Sequence, residues 1–254
     1  MIPIDLSGRI ALVTGGAGQL GRAICRTLGR AGADVVVHYH TSEAMATRLV
    51  EEIRAMGRRA MKVQADITDA DSITAMKEAV VAELGNPDIV CTNAVIQYAW
   101  KTVLEQDIEG YETQYRSCVL QNVLMAKAFV PAMIEKGWGR IIATNTECAM
   151  QNDPNQSAYV SGKRGMDGVL RVLAKEVGPH GITVNQVAPG YTISDRHREA
   201  GTERVPDYEA RVPLRRRGED TDIANAVLFL ASDLAGFITG VYLPVSGGTV
   251  MPAI

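Results

Sequence analysis

Short apolar runs alternate with longer segments in which apolar residues recur every three to four positions, along almost the whole chain. The first pattern is typical of buried strands and the second of amphipathic helices. Strands are predicted at 10–14, 34–39, 59–64, 89–92, 140–144, 183–188 and 242–245. Helices are predicted at 19–30, 42–56, 70–84, 108–136, 158–178 and 221–232.

Regular alternation of strands and helices indicates an α/β fold. Because parallel strands need crossover connections, we expect a doubly wound parallel sheet of about seven strands with helices on both faces. No Pro/Ser-rich linker, charge block or internal repeat divides the sequence, so residues 1–254 are predicted to form a single domain. The irregular stretch 191–218 is polar and arginine-rich, and we expect it to form a lid on the substrate side.

Composition narrows the possible partners. The chain is 46% hydrophobic and carries a net charge of −3, so nothing electrostatic favours binding to nucleic acid or to an anionic membrane. No uninterrupted apolar run approaches the roughly 18 to 20 residues of a membrane span, and residues 1–11 lack the features of a secretory signal, so a cytoplasmic location is predicted. The four cysteines and four histidines lack metal-ligand spacings, and His38 and His40 are interpreted as a polar strand face.

A glycine-rich loop follows the first predicted strand and leads into the first predicted helix. Gly16, Gly18 and Gly21 match G-x-G-x-x-G in that strand-loop-helix context. Glycines let the backbone approach a pyrophosphate that lies on the helix N-terminus. The sequence therefore predicts a Rossmann-type dinucleotide site, and a tight turn alone is the weaker reading of the same glycines.

The end of the second predicted strand bears on the choice of dinucleotide. An acidic residue usually binds the NAD ribose there, whereas this chain has Tyr39, His40, Thr41 and Ser42. Without a carboxylate a 2′-phosphate is not repelled, which favours NADP(H) over NAD(H), although no arginine lies in this turn. Thr41 or Ser42 could equally serve as an ordinary helix N-cap.

Further motifs make the chain resemble the short-chain dehydrogenase/reductase family, in its compact subfamily. They span nearly the whole chain: Asp66, Asn93-Ala94, Tyr159-x-x-x-Lys163, Pro189-Gly190 and Ser246-Gly247-Gly248. The resemblance implies an NAD(P)(H)-dependent oxidoreductase that interconverts an alcohol and a ketone. It implies dinucleotide contacts at Gly15, Gly18, Gln19, Leu20, Gly21, Tyr39, His40, Thr41, Asp66, Ile67, Asn93, Ala94, Tyr159, Lys163, Pro189, Gly190, Thr192 and Ser194.

The spacing of Tyr159 and Lys163 suits acid-base chemistry, because residues i and i+4 share a helix face. The lysine ammonium, aided by an oxidised nicotinamide, is expected to stabilise tyrosinate and to lower a phenol pKa that is ordinarily about 10. The phenol then exchanges a proton with the substrate oxygen while hydride moves at carbon. By resemblance, Lys163 also holds the nicotinamide ribose, and Thr146 occupies the position of the family's serine.

Three positions depart from the family pattern. Gln19 replaces a loop glycine, which would cost about 1–2 kcal/mol if a positive φ were required there and would crowd the phosphates. Val95 replaces the glycine of Asn-Ala-Gly. Cys118 stands at the position of the catalytic asparagine, where its backbone carbonyl could still support a water relay to the lysine.

The substrate pocket is expected at the carboxyl ends of the strands. Its predicted residues are Gln97, Tyr98, Glu147, Gln151, Tyr191, Arg196 and His197. These are mostly polar, which favours a small hydroxylated or charged substrate. The chain is also similar to 3-oxoacyl-carrier-protein reductases and to sugar or polyol dehydrogenases, but the basic docking residues of the former are replaced by Gly137 and His180, so acyl-carrier substrates rank second.

Family members usually form tetramers, so a homotetramer is predicted, with its interfaces on helices 108–136 and 158–178. Two other functions stay open beside the leading one. The departures at Gln19 and Cys118 suit a nucleotide-binding or regulatory protein with weakened or no redox activity. A lyase or epimerase could reuse the tyrosine without net redox chemistry. Retention of both Tyr159 and Lys163 favours the oxidoreductase.

Overall fold

A computed structural model describes residues 4–252 of the chain. Seven strands form one sheet in the order β3-β2-β1-β4-β5-β6-β7, and each neighbouring pair is parallel. The strands are Ile10–Val13 (β1), Asp34–Tyr39 (β2), Ala60–Gln64 (β3), Ile89–Thr92 (β4), Gly139–Thr144 (β5), Ile182–Pro189 (β6) and Tyr242–Val245 (β7). The predicted fold class is confirmed.

Helices connect the strands. They are Gln19–Arg30 (α1), Glu43–Ala55 (α2), Ala70–Glu83 (α3), Ile108–Gln114 (α4), Gln121–Lys136 (α5), Cys148–Gln151 (α6), Ser157–Val177 (α7), Asp195–Glu199 (α8), Pro206–Glu209 (α9) and Asp220–Ala231 (α10). A π-helical turn, Tyr115–Leu120, joins α4 to α5, and short 3₁₀ turns occupy Gly178–His180 and Asp233–Ala235.

The predicted strands and long helices agree with the structure to within one residue at each end. The differences lie in short elements that carry no clear periodicity. The predicted helix over 108–136 is continuous, but its geometry changes from α-helical to π-helical at Tyr115–Leu120. The lid contains the short helices α8 and α9, and α6 precedes α7.

Alternate residues of each strand enter opposite cores. Val35 and Val37 of β2 pack with Leu28 and Ile53 of α1 and α2, on the face that α10 also covers. Val36 points to the other face, where α3, α5 and α7 contribute residues such as Phe129. Both faces of the sheet are therefore apolar and covered, which is the arrangement that parallel sheets require.

The order of the strands reverses between β1 and β4, because β2 continues the sheet on one side and β5 on the other. Loops at the carboxyl ends of these two strands diverge and leave a crevice, which is where open α/β sheets bind ligands. The glycine loop after β1 and the Asn93-Ala94 segment after β4 both lie at this crevice.

The continuous helical segment Ile108–Lys136 is long and apolar enough, by composition, to cross a membrane. Half of its most apolar window is nevertheless buried inside the protein. Its residues Met125, Phe129 and Met133 pack against the sheet. The apolar composition of this segment is therefore explained by its place in the core.

Candidate active site

The glycine loop brings β1 and α1 into close backbone contact. Gly15 adopts a φ of +61°, and a Cβ added at Gly21 would lie 2.1 Å from the Gly15 carbonyl oxygen. Helix α1 follows Gly18 with no side-chain cap and no acidic residue in its first turn. An uncapped N-terminus of a 12-residue helix behind a tight glycine loop fits a dinucleotide pyrophosphate.

Gln19 is the first residue of α1 and has a negative φ, so the strain considered from the sequence is absent. Its side chain reaches the lid. Nε2 donates to the Ile193 carbonyl at 2.6 Å, and Oε1 accepts from the Asp195 amide at 2.9 Å. Gln19 therefore connects the glycine loop to the lid, a role that the sequence pattern did not indicate.

His38 lies behind the glycine loop and not on a polar strand face, which corrects the interpretation of the sequence. The side chain is 1% exposed. Its Nδ1 accepts from the Gly15 amide at 2.9 Å, so Nε2 carries the proton that is donated to the Ala65 carbonyl at 3.0 Å. Burial lowers the pKa of His38 from 6.5 to about 4, which keeps the ring neutral.

A cleft of about 870 Å³ opens over the carboxyl edge of the sheet. The predicted dinucleotide contacts that line it are Gly15, Gly18, Gln19, Leu20, Tyr39, His40, Thr41, Asp66, Ile67, Asn93, Ala94, Tyr159, Lys163, Pro189, Gly190 and Thr192. Gly21 and Ser194 do not line it. Gly21 packs against Gly15, and the Ser194 hydroxyl caps α8 by accepting from the His197 amide.

Tyr159 and Lys163 lie on α7, where the lysine is 4% exposed. The Lys163 Nζ donates to the Thr144 carbonyl at 2.6 Å and lies 5.6 Å from the centre of the Tyr159 ring. Burial raises the pKa of Tyr159, and the Thr146 hydroxyl opposes that rise. Burial lowers the pKa of Lys163. Desolvation is the largest cause of the pKa shift at both groups.

Cys118 lies in the π-helical turn, is buried, and lines neither this cleft nor the pocket beside it. Its carbonyl accepts from the Asn122 side-chain amide at 2.7 Å. Its burial is that of a small core residue and not of an accessible nucleophile.

A second cavity of about 450 Å³ adjoins the cleft. Tyr159 and Thr146 line both cavities, whereas Lys163 lines only the cleft. Of the predicted substrate residues, the pocket contains Gln97, Tyr98, Glu147, Gln151 and Tyr191. Arg196 is exposed on α8, and neither Arg196 nor His197 lines the pocket. The His197 ring instead contacts Tyr191, Ser194 and Arg217 within the lid, an arrangement that the sequence did not reveal.

Six pocket residues were not predicted from the sequence: Ile96, Trp100, Cys148, Asp153, Gln156 and Tyr208. Tyr208 comes from α9 in the lid, about 60 residues after Glu147 in sequence. Its hydroxyl accepts from the Tyr191 amide at 3.0 Å and donates to Glu147 Oε1 at 3.0 Å. Burial raises the pKa of Glu147, and the bond from Tyr208 opposes that rise.

Arg217 organises the lid from within and is 2% exposed. Its guanidinium donates to the carbonyls of Thr192 and Glu203 at 3.0 Å each, and it lies 3.9 Å from the centre of the Tyr191 ring. It also lies 3.2 Å from His197 Nδ1. The lid is therefore an ordered layer over the pocket, built around one buried cation.

Fold and site together define a dinucleotide-binding oxidoreductase: a glycine cradle, a tyrosine-lysine pair and an adjoining pocket at the switch point of a parallel sheet. The family described as Enoyl-(Acyl carrier protein) reductase matches residues 15–250. The chain belongs to the short-chain dehydrogenase/reductase family and is an NAD(P)-dependent enzyme of that family.

Two similar relatives are 3-oxoacyl-[acyl-carrier-protein] reductases. The 3-oxoacyl-[acyl-carrier-protein] reductase FabG of Staphylococcus aureus is 36% identical over 251 residues, covering 95% of this chain and 98% of the relative. FabG of Escherichia coli K12 is 36% identical over 248 residues, covering 98% of this chain and all of the relative. The match extends over the full fold.

Two solved structures have the same fold, each with a TM-score of 0.89. A blue fluorescent protein from a metagenomic library, in complex with NADPH, is 34% identical, covering 97% of this chain and 100% of that chain. A 7α-hydroxysteroid dehydrogenase, complexed with NADH and 7-oxo glycochenodeoxycholic acid, is 30% identical, covering 98% and 97%. These neighbours hold nicotinamide dinucleotides of both kinds.

Proposed function

We propose that this enzyme interconverts a small polar ketone and its alcohol, with NADP(H) preferred to NAD(H) and Tyr159 as the acid-base residue. One observation carries the proposal: Tyr159 and Thr146 line the wall that the dinucleotide cleft shares with the smaller pocket. A group on that wall can reach a reacting carbonyl that faces the pocket and a hydride that arrives from the cleft.

In the reduction, Tyr159 Oη donates its proton to the substrate oxygen, and the Thr146 hydroxyl orients that oxygen. A nicotinamide bound in the cleft supplies the hydride to the carbonyl carbon. Lys163 donates to Thr144 in the structure, and its remaining ammonium protons are available to a ribose and to the tyrosine side. The phenolate left after proton transfer requires that positive charge, because burial alone disfavours it.

The preference for NADP(H) is supported by the wall at the end of β2. Tyr39, His40, Thr41 and Ser42 line the cleft, and none of them is acidic. A 2′-phosphate therefore meets hydroxyl groups and the start of α2 in place of a repelling carboxylate. A ratio of kcat/KM values that favours NADH over NADPH would reject this part of the proposal.

The test of the acid-base role is Tyr159→Phe. The variant is expected to keep binding NADPH, measured by nicotinamide fluorescence, while turnover falls by about 10²–10⁴-fold. Tyr115→Phe is the matched control, because Tyr115 is half exposed and lines neither cavity. Unchanged turnover in Tyr159→Phe would reject the mechanism.

A 3-oxoacyl thioester on a carrier protein is the second candidate substrate, favoured by the 36% identity to the FabG reductases. This candidate is weakened because Gly137 and His180 stand where the carrier-protein reductases have basic docking residues. Gly137 ends α5 in a left-handed turn, and His180 ends the 3₁₀ turn after α7. Reduction of acetoacetyl-acyl carrier protein at a higher kcat/KM than any free ketone would establish this second candidate.

We further propose a cytoplasmic homotetramer assembled through α4–α5 and α7. The described surface of these helices exposes apolar side chains, among them Ile108, Ile134 and Val172. A molar mass of one chain by light scattering would reject the assembly. Product analysis separates the remaining alternatives, because a lyase or epimerase changes its substrate without net oxidation of NADPH.

A further inference from the structure

The substrate pocket contains two buried acceptor atoms that have no hydrogen-bond partner among residues 4–252. Glu147 is 4% exposed, and its Oε1 accepts from the Tyr208 hydroxyl at 3.0 Å. The second carboxylate oxygen, Oε2, is buried without a hydrogen-bond partner. Gln156 Oε1, on the same pocket wall, is also buried without one. Buried acceptors are almost always paired in native proteins, so two in one pocket point to a ligand.

The pocket also lacks a positive charge. Its described lining includes the carboxylates of Glu147 and Asp153 and no lysine, arginine or histidine. The buried guanidinium of Arg217 lies outside the lining, where lid carbonyls satisfy it. A substrate that bears a carboxylate or phosphate would meet repulsion at Glu147 without compensation.

The carboxylate is held in place by the fold. Tyr208 binds one oxygen from the lid, and a methyl group at Gly190 would lie 3.1 Å from the other, so the end of β6 leaves room for that oxygen. The bare Oε2 is therefore positioned before the substrate arrives, which lowers the entropy cost of recognition.

We infer that Glu147 Oε2 is a specificity determinant that receives a hydrogen bond from a donor group of the substrate, with Gln156 Oε1 taking a second. The substrate class is a ketone or alcohol that carries further hydroxyl or ammonium groups close to the reacting carbon. Tyr208 is the positioning residue that fixes Glu147 when the lid covers the pocket. This inference rests on the proposed function and names the substrate class of that site.

The experiment compares NADPH oxidation with five small ketones: hydroxyacetone, dihydroxyacetone, aminoacetone, butanone and pyruvate. The first three carry donors, butanone carries a methyl group in the same place, and pyruvate carries a carboxylate. Each is tested on the wild type, Glu147→Met, Glu147→Gln, Tyr208→Phe and the control Asp207→Asn. Asp207 is exposed beside Tyr208 and lines neither cavity, so its variant removes one nearby negative charge only.

Glu147→Met is expected to lower kcat/KM for the donor ketones by about 10- to 100-fold, because their donor loses its acceptor, and to change butanone by less than about twofold. Tyr208→Phe is expected to raise KM for the donor ketones more than it lowers kcat. Glu147→Gln distinguishes the two donors, since an amide oxygen still accepts from a hydroxyl but no longer attracts an ammonium. Asp207→Asn is expected to leave every ratio unchanged.

The inference would be overturned if both Glu147 variants kept the wild-type preference for donor ketones over butanone. It would also be overturned if the wild type turned over pyruvate faster than hydroxyacetone. In either case the oxidoreductase proposal stands, because NADPH is still consumed. If no ketone in the panel and no acyl-carrier substrate oxidises NADPH, the proposed function fails, and the inference fails with it.

Discussion

Acidification tests the role of His38, because this imidazole must stay neutral to accept from the Gly15 amide. Above pH 6.5 the ring is neutral in both the folded and the unfolded chain. As the pH falls, the unfolded chain takes up the proton first, and the folded protein follows only near its pKa of about 4. The free energy of unfolding therefore declines across this window. The pKa of His38 differs by about 2.5 units between the unfolded and the folded chain. At about 1.4 kcal/mol per unit, the free energy of unfolding falls by roughly 3 kcal/mol.

The assay is urea denaturation at pH values from 7 to 4, with the same series on His38→Gln. The variant is expected to be less stable at pH 7 and to lose most of the wild type's decline between pH 6.5 and 4, because the titrating group is gone. His180→Gln, at the exposed end of a 3₁₀ turn, is the matched control and should keep the wild-type slope. Parallel pH profiles for wild type and His38→Gln would refute the reasoning.

Two further substitutions address the cleft and the lid. Gly21→Ala places a methyl group 2.1 Å from the Gly15 carbonyl oxygen. We therefore expect the free energy of unfolding to fall by about 1–3 kcal/mol and NADPH binding to be lost in a titration. An unchanged affinity for NADPH would contradict the close packing of the loop. Arg217→Met removes two charged hydrogen bonds of 3.0 Å, a local loss of about 3 kcal/mol or more, so amide hydrogen exchange in 191–218 should accelerate about a hundredfold while the sheet stays protected. Arg216→Met, which breaks a half-exposed pair with Asp222 and one hydrogen bond to the Arg217 carbonyl, should accelerate lid exchange less than about tenfold.

Periodicity predicted the fold well because its signal is repeated in every strand and helix. The strands of this sheet are buried on both faces, so each is a dense apolar run, and the helix between two strands shows its core face at regular spacing. The lid lacks both signals. Its helices α8 and α9 have five and four residues, too few for a period to show. Polar contacts to Gln19 and Arg217 hold α8, and the Tyr208 hydroxyl, bonded to Tyr191 and Glu147, holds α9.

The site residues that could be predicted from the sequence are those whose arrangement is local in the chain. Tyr159 and Lys163 could be predicted because their spacing is local and the helix face follows from it. Tyr208 could not, because its position against Glu147 depends on how the lid folds back over about 60 residues of chain. His38 was misinterpreted for a related reason: a histidine in a strand gives no sign of whether its partner is water or, as here, the amide of Gly15.

The side chain of Gln19 couples two binding events. It bonds the lid backbone at Ile193 and Asp195 from the first turn of α1, where the pyrophosphate is expected. Any ordering of that turn by a dinucleotide is therefore passed to the lid, and by thermodynamic linkage a lid closed on substrate tightens the hold on the dinucleotide in return. We expect the Kd of NADPH to be lower in the presence of a saturating substrate analogue than in its absence.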